Sequence, residues 1–183
     1  MGGMQRLVLL AFALVAGVSA SAQSLDKPTR LSVFISPGAG WNRGSGIVAD
    51  GGYGVSLERR FSRVWSAEIS VAAEQHETRP YLFDPTVFKL DTHPVDLIVR
   101  YSFKDLHTTW RPFVGAGVRY VAAPDAPPGR EYDDELSPEV AGGAEFNFGE
   151  AWSAQFELKL LARNETSVFD EPVKASVAIG WRF

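Results

Sequence analysis

Apolar and polar residues alternate with a period of two along most of this chain after residue 30. In the segment 53–61, for example, Tyr53, Val55 and Leu57 fall on one face, and smaller or polar residues lie between them. Such alternation is typical of a β-strand whose two faces meet different surroundings. No window after residue 22 sustains a helical period over ten or more residues. The pattern therefore predicts an all-β protein.

Eight segments of this kind follow one another along the chain. They are 31–41, 53–61, 65–74, 93–103, 111–122, 137–148, 152–162 and 173–183. Each is close to the length that a strand tilted by about 45° needs to cross the core of a membrane. Eight is also the smallest even number of strands found in single-chain membrane barrels.

The connections between these segments alternate in length. Short links are predicted at 62–63, 104–109 and 149–150, and long links at 42–52, 75–92, 123–136 and 163–171. Short periplasmic turns and long external loops are typical of outer-membrane barrels. Closure of the sheet also gives every backbone group in the membrane a partner. The sequence therefore predicts an eight-stranded antiparallel up-and-down transmembrane β-barrel with four long extracellular loops.

The polar face of the predicted strands is unusually rich in charge, and this decides which face lies outside. A soluble lipocalin-type barrel also alternates, but it lines its interior with apolar side chains. Here the polar face carries carboxylates and bases in nearly equal number, which suits a narrow lumen crossed by salt bridges. The predicted lumenal charge network is Glu58, Arg60, Glu68, Asp96, Arg100, Arg119, Glu139, Glu145, Glu157, Lys159, Lys174 and Arg182, with Glu74 as a further carboxylate.

Aromatic residues bracket each predicted short turn and mark the end of the chain. Rings at one level are typical of the boundary between lipid and headgroups. The predicted periplasmic girdle is Phe61, Trp65, Phe103, Trp110, Phe148, Trp152 and Trp181. A second set lies at the long-loop ends and fits either an outer girdle or packing within the loops. Its members are Trp41, Tyr53, Tyr81, Phe83 and Tyr120.

The first 22 residues have the three parts of a secretory signal peptide. Arg6 precedes ten unbroken apolar residues at 7–16, and Ala20 and Ala22 offer small side chains for cleavage. Ten apolar residues are too few for a membrane-spanning helix, although a retained anchor is the alternative. We therefore expect a signal peptide at 1–22 and a barrel domain at 23–183. The remaining 17 basic and 22 acidic residues give a net charge of −5, which argues against nucleic acid as a partner.

Three stretches resemble the small outer-membrane β-barrel proteins, the eight-stranded group that includes the OmpA membrane domain, OmpX and OmpW. They are the segment 110–120, the terminal segment 178–183, and the F-x-x-x-W-S-A pattern that occurs at both 61–67 and 148–154. The resemblance implies contact with outer-membrane lipid and lipopolysaccharide in a Gram-negative envelope. It also implies that the barrel assembly machinery recognises the aromatic residue at the C-terminus, here Phe183.

Catalysis and metal binding are not expected. The chain has no cysteine, and its three histidines, His76, His93 and His107, lie apart or point to different faces. The His-x-Ser signature of lipid A deacylase barrels is absent. The third long connection is acidic, but its spacing matches no EF-hand, so we expect a solvated loop without a metal or cofactor. Its charged residues are Asp125, Arg130, Glu131, Asp133, Asp134 and Glu135.

The sequence thus favours a structural or surface-interaction role over transport or chemistry. An eight-stranded barrel has room inside for side chains and little else. The alternative is a narrow channel or porin-like route for a small solute. A lipid A-modifying enzyme is the third hypothesis.

Overall fold

The structure is a computed structural model, and it consists almost entirely of antiparallel strands. It describes residues 29–37, 40–42, 46–48, 51–78, 88–104, 108–123, 133–162 and 173–183. The predicted signal peptide at 1–22 lies outside the described residues. No helix among the described residues is long and apolar enough to cross a membrane.

The described residues form eleven strands, all paired antiparallel. They are β1 (Thr29–Ser36), β2 (Gly40–Asn42), β3 (Gly46–Val48), β4 (Gly51–Arg60), β5 (Trp65–Thr78), β6 (Phe88–Thr92), β7 (Val95–Ser102), β8 (Trp110–Val121), β9 (Glu135–Phe148), β10 (Trp152–Leu161) and β11 (Val173–Arg182). Around the main sheet the order is β4, β1, β11, β10, β9, β8, β7 and β5, and pairing of β4 with β5 closes the ring. The predicted eight-stranded up-and-down barrel is confirmed.

Strands β6 and β7 are two parts of one barrel strand. Both pair with β5 in a single register. Glu74 lies opposite Thr92 and Val71 lies opposite Val95, and the two residue numbers of each pair add up to 166. The break falls at Pro94, which has no N–H to donate to the ladder. Its carbonyl still accepts a bond from the Ala72 N–H at 3.1 Å. The prediction that the second long connection spans 75–92 is therefore wrong, because paired strands occupy both ends of it.

The first long connection also differs from the prediction. Strand β1 ends at Ser36 instead of Trp41, and a separate hairpin of β2 and β3 follows. The two residue numbers of each pair in this hairpin add up to 88, as do those of each pair between β1 and β4. The hairpin therefore continues the register of the wall beneath it. The interval 42–52 had no apolar alternation that would have indicated a strand.

Two prolines lie in central strands where a missing N–H does little damage. The Pro112 carbonyl accepts from Phe103 N at 3.0 Å, and the Pro138 carbonyl accepts from Ala162 N at 2.9 Å. In an antiparallel ladder the N–H and C=O of a residue face the same neighbour. The absent donors thus face Phe103 and Ala162, each the first residue beyond the end of its strand.

Side chains alternate between a polar interior and an apolar exterior. In β10 the exposed side chains of Phe156, Leu158 and Leu160 alternate with the buried side chains of Glu157 and Lys159. The same arrangement exposes aliphatic residues on every wall, for example Ile35 and Val33 at 61%. A soluble barrel has the reverse arrangement. An exterior of this kind is stabilised by contact with lipid.

Large inward side chains lie over glycines on the neighbouring strand. Phe34 faces Gly54 and Phe113 faces Gly143 across the ladder. A Cβ on Gly54 would lie 2.5 Å from the Phe34 ring, and one on Gly143 would lie 2.8 Å from the Phe113 ring. The two glycines therefore leave the space that the rings occupy inside a narrow barrel.

We predict that Gly143→Ala destabilises the barrel by about 1–3 kcal/mol, since a Cβ there would lie 2.1 Å from the Phe156 carbonyl oxygen as well as 2.8 Å from the Phe113 ring, and the strand or the ring must move. Gly142→Ala is the matched control, because it is the next residue and a Cβ there would meet only Phe113 O at 3.9 Å. Urea unfolding of the refolded protein in micelles measures both. Equal stability of the two variants would contradict this packing.

Candidate functional site: the charged lumen

The carboxylate of Glu145 contacts four arginine side chains at the short-turn end of the lumen. Glu145 of β9 is 1% exposed and accepts bonds from Arg30 of β1 at 2.7 Å and Arg60 of β4 at 3.3 Å. It also pairs with Arg111 of β8 and Arg182 of β11. These residues come from five strands, so a single side chain ties together most of the circumference.

A second centre lies beside it around Arg100 of β7. Its guanidinium pairs with Glu68 at 2.7 Å and with Glu157 of β10. Gln155 accepts from both Arg100 at 3.2 Å and Arg30 at 2.5 Å, and so joins the two centres. We call this set the short-turn cluster. Its charged members are Arg30, Arg60, Arg100, Arg111 and Arg182 with Glu58, Glu68, Glu145 and Glu157.

A smaller group of charges, the loop-side cluster, lies toward the long connections. Glu74 pairs with Arg119 at 2.5 Å and with Lys174 at 2.6 Å. Asp96 pairs with Lys159 at 2.5 Å and with Arg119 at 3.6 Å. Lys159 also lies 3.6 Å from Glu157, so the two clusters form one connected network.

Glu139 is a member of the loop-side cluster that makes no ion pair with the described residues. It is 3% exposed, and both of its carboxylate oxygens are buried without a hydrogen-bond partner among them. Gly117 lies opposite it on β8, so no side chain there faces it across the ladder. Nearby, Asp96 Oδ1 is also buried and accepts no hydrogen bond from the described residues. The loop-side cluster thus contains a buried carboxylate with no ion pair among the described residues, whereas every carboxylate of the short-turn cluster has one.

The lumen also contains apolar side chains that the alternation did not indicate. Ile98 is 1% exposed and Phe113 is 4% exposed, both on the inward face. The Arg100 guanidinium lies 4.7 Å from the centre of the Phe113 ring, a cation–π contact. Ion pairs and these apolar contacts together fill the interior.

The structure buries eleven of the twelve charges predicted for the lumen, and the twelfth, Lys174, is partly buried on Glu74. Sequence reasoning missed Arg30, Arg111 and Gln155. Arg30 lies one residue before the predicted first strand. Arg111 lies on the same face of β8 as Arg119, which was predicted to point inward, so the alternation could have identified it. Nothing in the alternation singles out Gln155 as the link between two arginines.

The predicted periplasmic aromatic residues lie on the outer surface around the short turns. Of the seven, Trp65, Phe103, Trp110, Phe148, Trp152 and Trp181 are 44–56% exposed, and Phe61 is partly buried. Trp152 lies opposite both Trp181 and Phe148 in the ladder. Tyr101 and Phe146 extend the same belt, with Tyr101 in edge contact with Trp65 at 5.1 Å. Of the second aromatic set, only the side chains of Tyr53 and Tyr120 are described.

Asp134 links the two described ends of the acidic third connection by hydrogen bonds. Its carboxylate accepts from the Ala123 N–H at 2.9 Å and from the Tyr120 hydroxyl at 2.7 Å. These two bonds hold the pKa of Asp134 below its usual range. Asp125, Arg130 and Glu131 lie outside the described residues, as do His107 and the side chain of His76. His93 is exposed. Among the described residues, no group of three or more His, Asp or Glu could hold a metal ion.

A membrane barrel with a charged, salt-bridged interior is the class that this geometry defines. The model for the outer membrane protein beta-barrel domain matches residues 8–183, and the chain belongs to this family. Membership of this family places the protein in the outer membrane. No curated protein sequence matches the chain with significance.

Several solved barrels share the fold at low sequence identity. The N-terminal barrel of Pseudomonas aeruginosa OprF is 15% identical, with a TM-score of 0.53 over 86% of this chain and 98% of that one. Escherichia coli outer membrane protein W is 15% identical, with a TM-score of 0.56 over 87% and 100%. Yersinia pestis Ail, in complex with a heparin analogue, is 14% identical, with a TM-score of 0.52 over 85% and 99%. At these identities the likeness shows the fold alone.

We predict that Glu145→Gln lowers the free energy of unfolding by about 3–5 kcal/mol, because it leaves buried arginines without their shared counter-charge. Glu139→Gln is the matched control on the same strand, since Glu139 makes no ion pair with the described residues. We expect that variant to change stability by less than about 1 kcal/mol, or to raise it. Urea unfolding in micelles measures both, and the opposite ranking would show that the pairing is wrong.

Proposed function

We propose that this protein is an envelope barrel with a structural and surface-interaction role, whose lumen is closed by ion pairs. The observation that carries the proposal is the network around Glu145 and Arg100, which crosses the interior between opposite walls. Arg30 of β1 reaches Glu145 of β9, and Arg100 of β7 reaches Glu157 of β10. A lumen filled in this way leaves no wide aqueous path.

The same arrangement argues against chemistry and favours the loops as the functional surface. Catalysis needs a nucleophile and a base within hydrogen-bond reach of each other. Nearly all of the described buried charges are instead paired with opposite charges, and His93 is exposed. We therefore assign function to the long-loop end, with lipopolysaccharide and outer-membrane lipid as the surroundings.

The heparin analogue in the Ail complex is a polyanion, and the loops of this chain differ in charge from what such a ligand needs. The third connection here has five carboxylates, Asp125, Glu131, Asp133, Asp134 and Glu135, against Arg130 alone. Such a surface repels a polyanion. We therefore expect the third connection not to bind a polyanion.

Single-channel recording in a planar bilayer tests the closed lumen. We expect the refolded wild type to show no stepwise openings, because the short-turn cluster blocks the path. Arg100→Ala is expected to give small openings if it folds, since it removes the side chain that spans from β7 to β10. Migration in SDS with and without boiling checks folding. Reproducible ion-selective openings of the wild type would instead favour the narrow channel.

We also propose that Phe183 is the assembly signal read by the barrel assembly machinery. Its backbone pairs with Thr29 in both directions, at 3.0 and 3.4 Å, while its ring is 50% exposed and stacks on Trp181. The ring is thus accessible at the seam where the barrel closes.

We expect Phe183→Ala to reduce the folded barrel found in outer-membrane fractions, without impairing refolding of the purified chain in detergent. Phe103→Ala is the control, because Phe103 is an equally exposed aromatic at the same end. Band shifts between boiled and unboiled samples measure the folded fraction. Equal amounts of both variants in the membrane would overturn this role of Phe183.

A further inference from the structure

The short-turn cluster contains more positive charge than its carboxylates neutralise. Five arginines share four glutamates, so the cluster as a whole carries one uncompensated positive charge. The excess is concentrated nearest the turns. There Arg111 and Arg182 have Glu145 as their only carboxylate partner among the described residues, and Arg30 and Arg60 contact the same glutamate.

Arg111 has donors that nothing in the described structure accepts. It is 2% exposed, and one Nη binds Glu145 while Nε and the other Nη are buried without a partner. Arg182 has an unpartnered Nε as well. Buried guanidinium donors left unpaired are costly, and a planar fork of N–H groups matches the oxygens of a carboxylate or phosphate.

The two arginines flank one point of the lumen, close to the periplasmic end. Arg111 contacts one oxygen of Glu145 and Arg182 contacts the other. Arg182 also donates to Asn147 Oδ1 at 2.6 Å, and Asn147 in turn donates to the Thr108 carbonyl at 2.7 Å, in the connection between β7 and β8. The unpaired donors therefore lie directly beneath a periplasmic turn.

We propose that Arg111 and Arg182 form a binding site for a small oxyanion of the phosphate class, reached from the periplasmic side. Such an anion compensates the excess positive charge of the short-turn cluster and accepts from the donors that Glu145 does not satisfy. The described ends of the acidic third connection, Ala123 and Asp134, lie at the opposite end of the barrel, away from the proposed site. A free phosphate and the phosphate of a lipid headgroup share the required chemistry.

Calorimetric titration of inorganic phosphate into the refolded protein in dodecyl maltoside tests the site, with ionic strength held constant by sodium chloride. We expect saturable binding by the wild type, and binding weaker by about tenfold or more in Arg111→Gln, since one charge-assisted pair is lost. Lys104→Gln is the control, because Lys104 is an exposed cation at the same end. It should bind as the wild type does.

Because Arg111→Gln can impair folding, the wild type alone supplies a second measurement. Its thermal unfolding midpoint should rise when phosphate replaces chloride at equal ionic strength, as expected for a ligand of the folded state. Repeating the titration in phosphatidylcholine nanodiscs distinguishes the two sources. Binding in micelles that disappears in nanodiscs supports the site with a lipid phosphate as its occupant, and binding in both supports free phosphate. Absence of saturable binding in micelles, or equal affinity of Arg111→Gln and wild type, would overturn the proposal.

Discussion

Charges enclosed in a narrow lumen must be paired, and this constraint governs the rest of the structure. Arg30 lies near the start of the described chain and Arg182 near its end, yet both bind Glu145 in β9. The Arg30 pair forms only when β1 joins β11, because that seam places Arg30 opposite Arg182. Closure of the sheet and neutralisation of the interior are therefore coupled, because an open barrel would leave buried charges without partners.

Packing inside the barrel follows from the same constraint. Long arginine stems and two aromatic rings must share a space that eight strands enclose, so small residues lie where large ones cross. Gly143 lies beneath Phe113, and a Cβ on Gly180 would meet the stem of Arg30 at 2.8 Å. Glycines on the inner wall therefore leave room for the ion-paired side chains to cross the lumen.

The two ends of the lumen differ in ways that bear on function. Toward the short turns, arginines exceed glutamates, and Arg111 has donors with no acceptor among the described residues. Toward the loops, Arg119 and Lys159 are each shared between two carboxylates, and Glu139 has no ion pair among the described residues. The connected network between them crosses the lumen, so the proposed roles lie at the two ends of the molecule and not along a through-path.

Alternation along single strands was enough to determine the all-β class, the eight-stranded barrel and the inward face of residues such as Glu58 and Glu145, because a period of two assigns each side chain to a face. The ends of the strands were less well determined by the alternation. The hairpin of β2 and β3 and the C-terminal part of β5 depend on pairing with neighbouring strands. Which charge meets which was decided only by the tertiary structure. Barrel closure and stagger bring Arg30 to Glu145, 115 residues away, and leave Glu139 without such a partner, and no pattern along one strand contains that information.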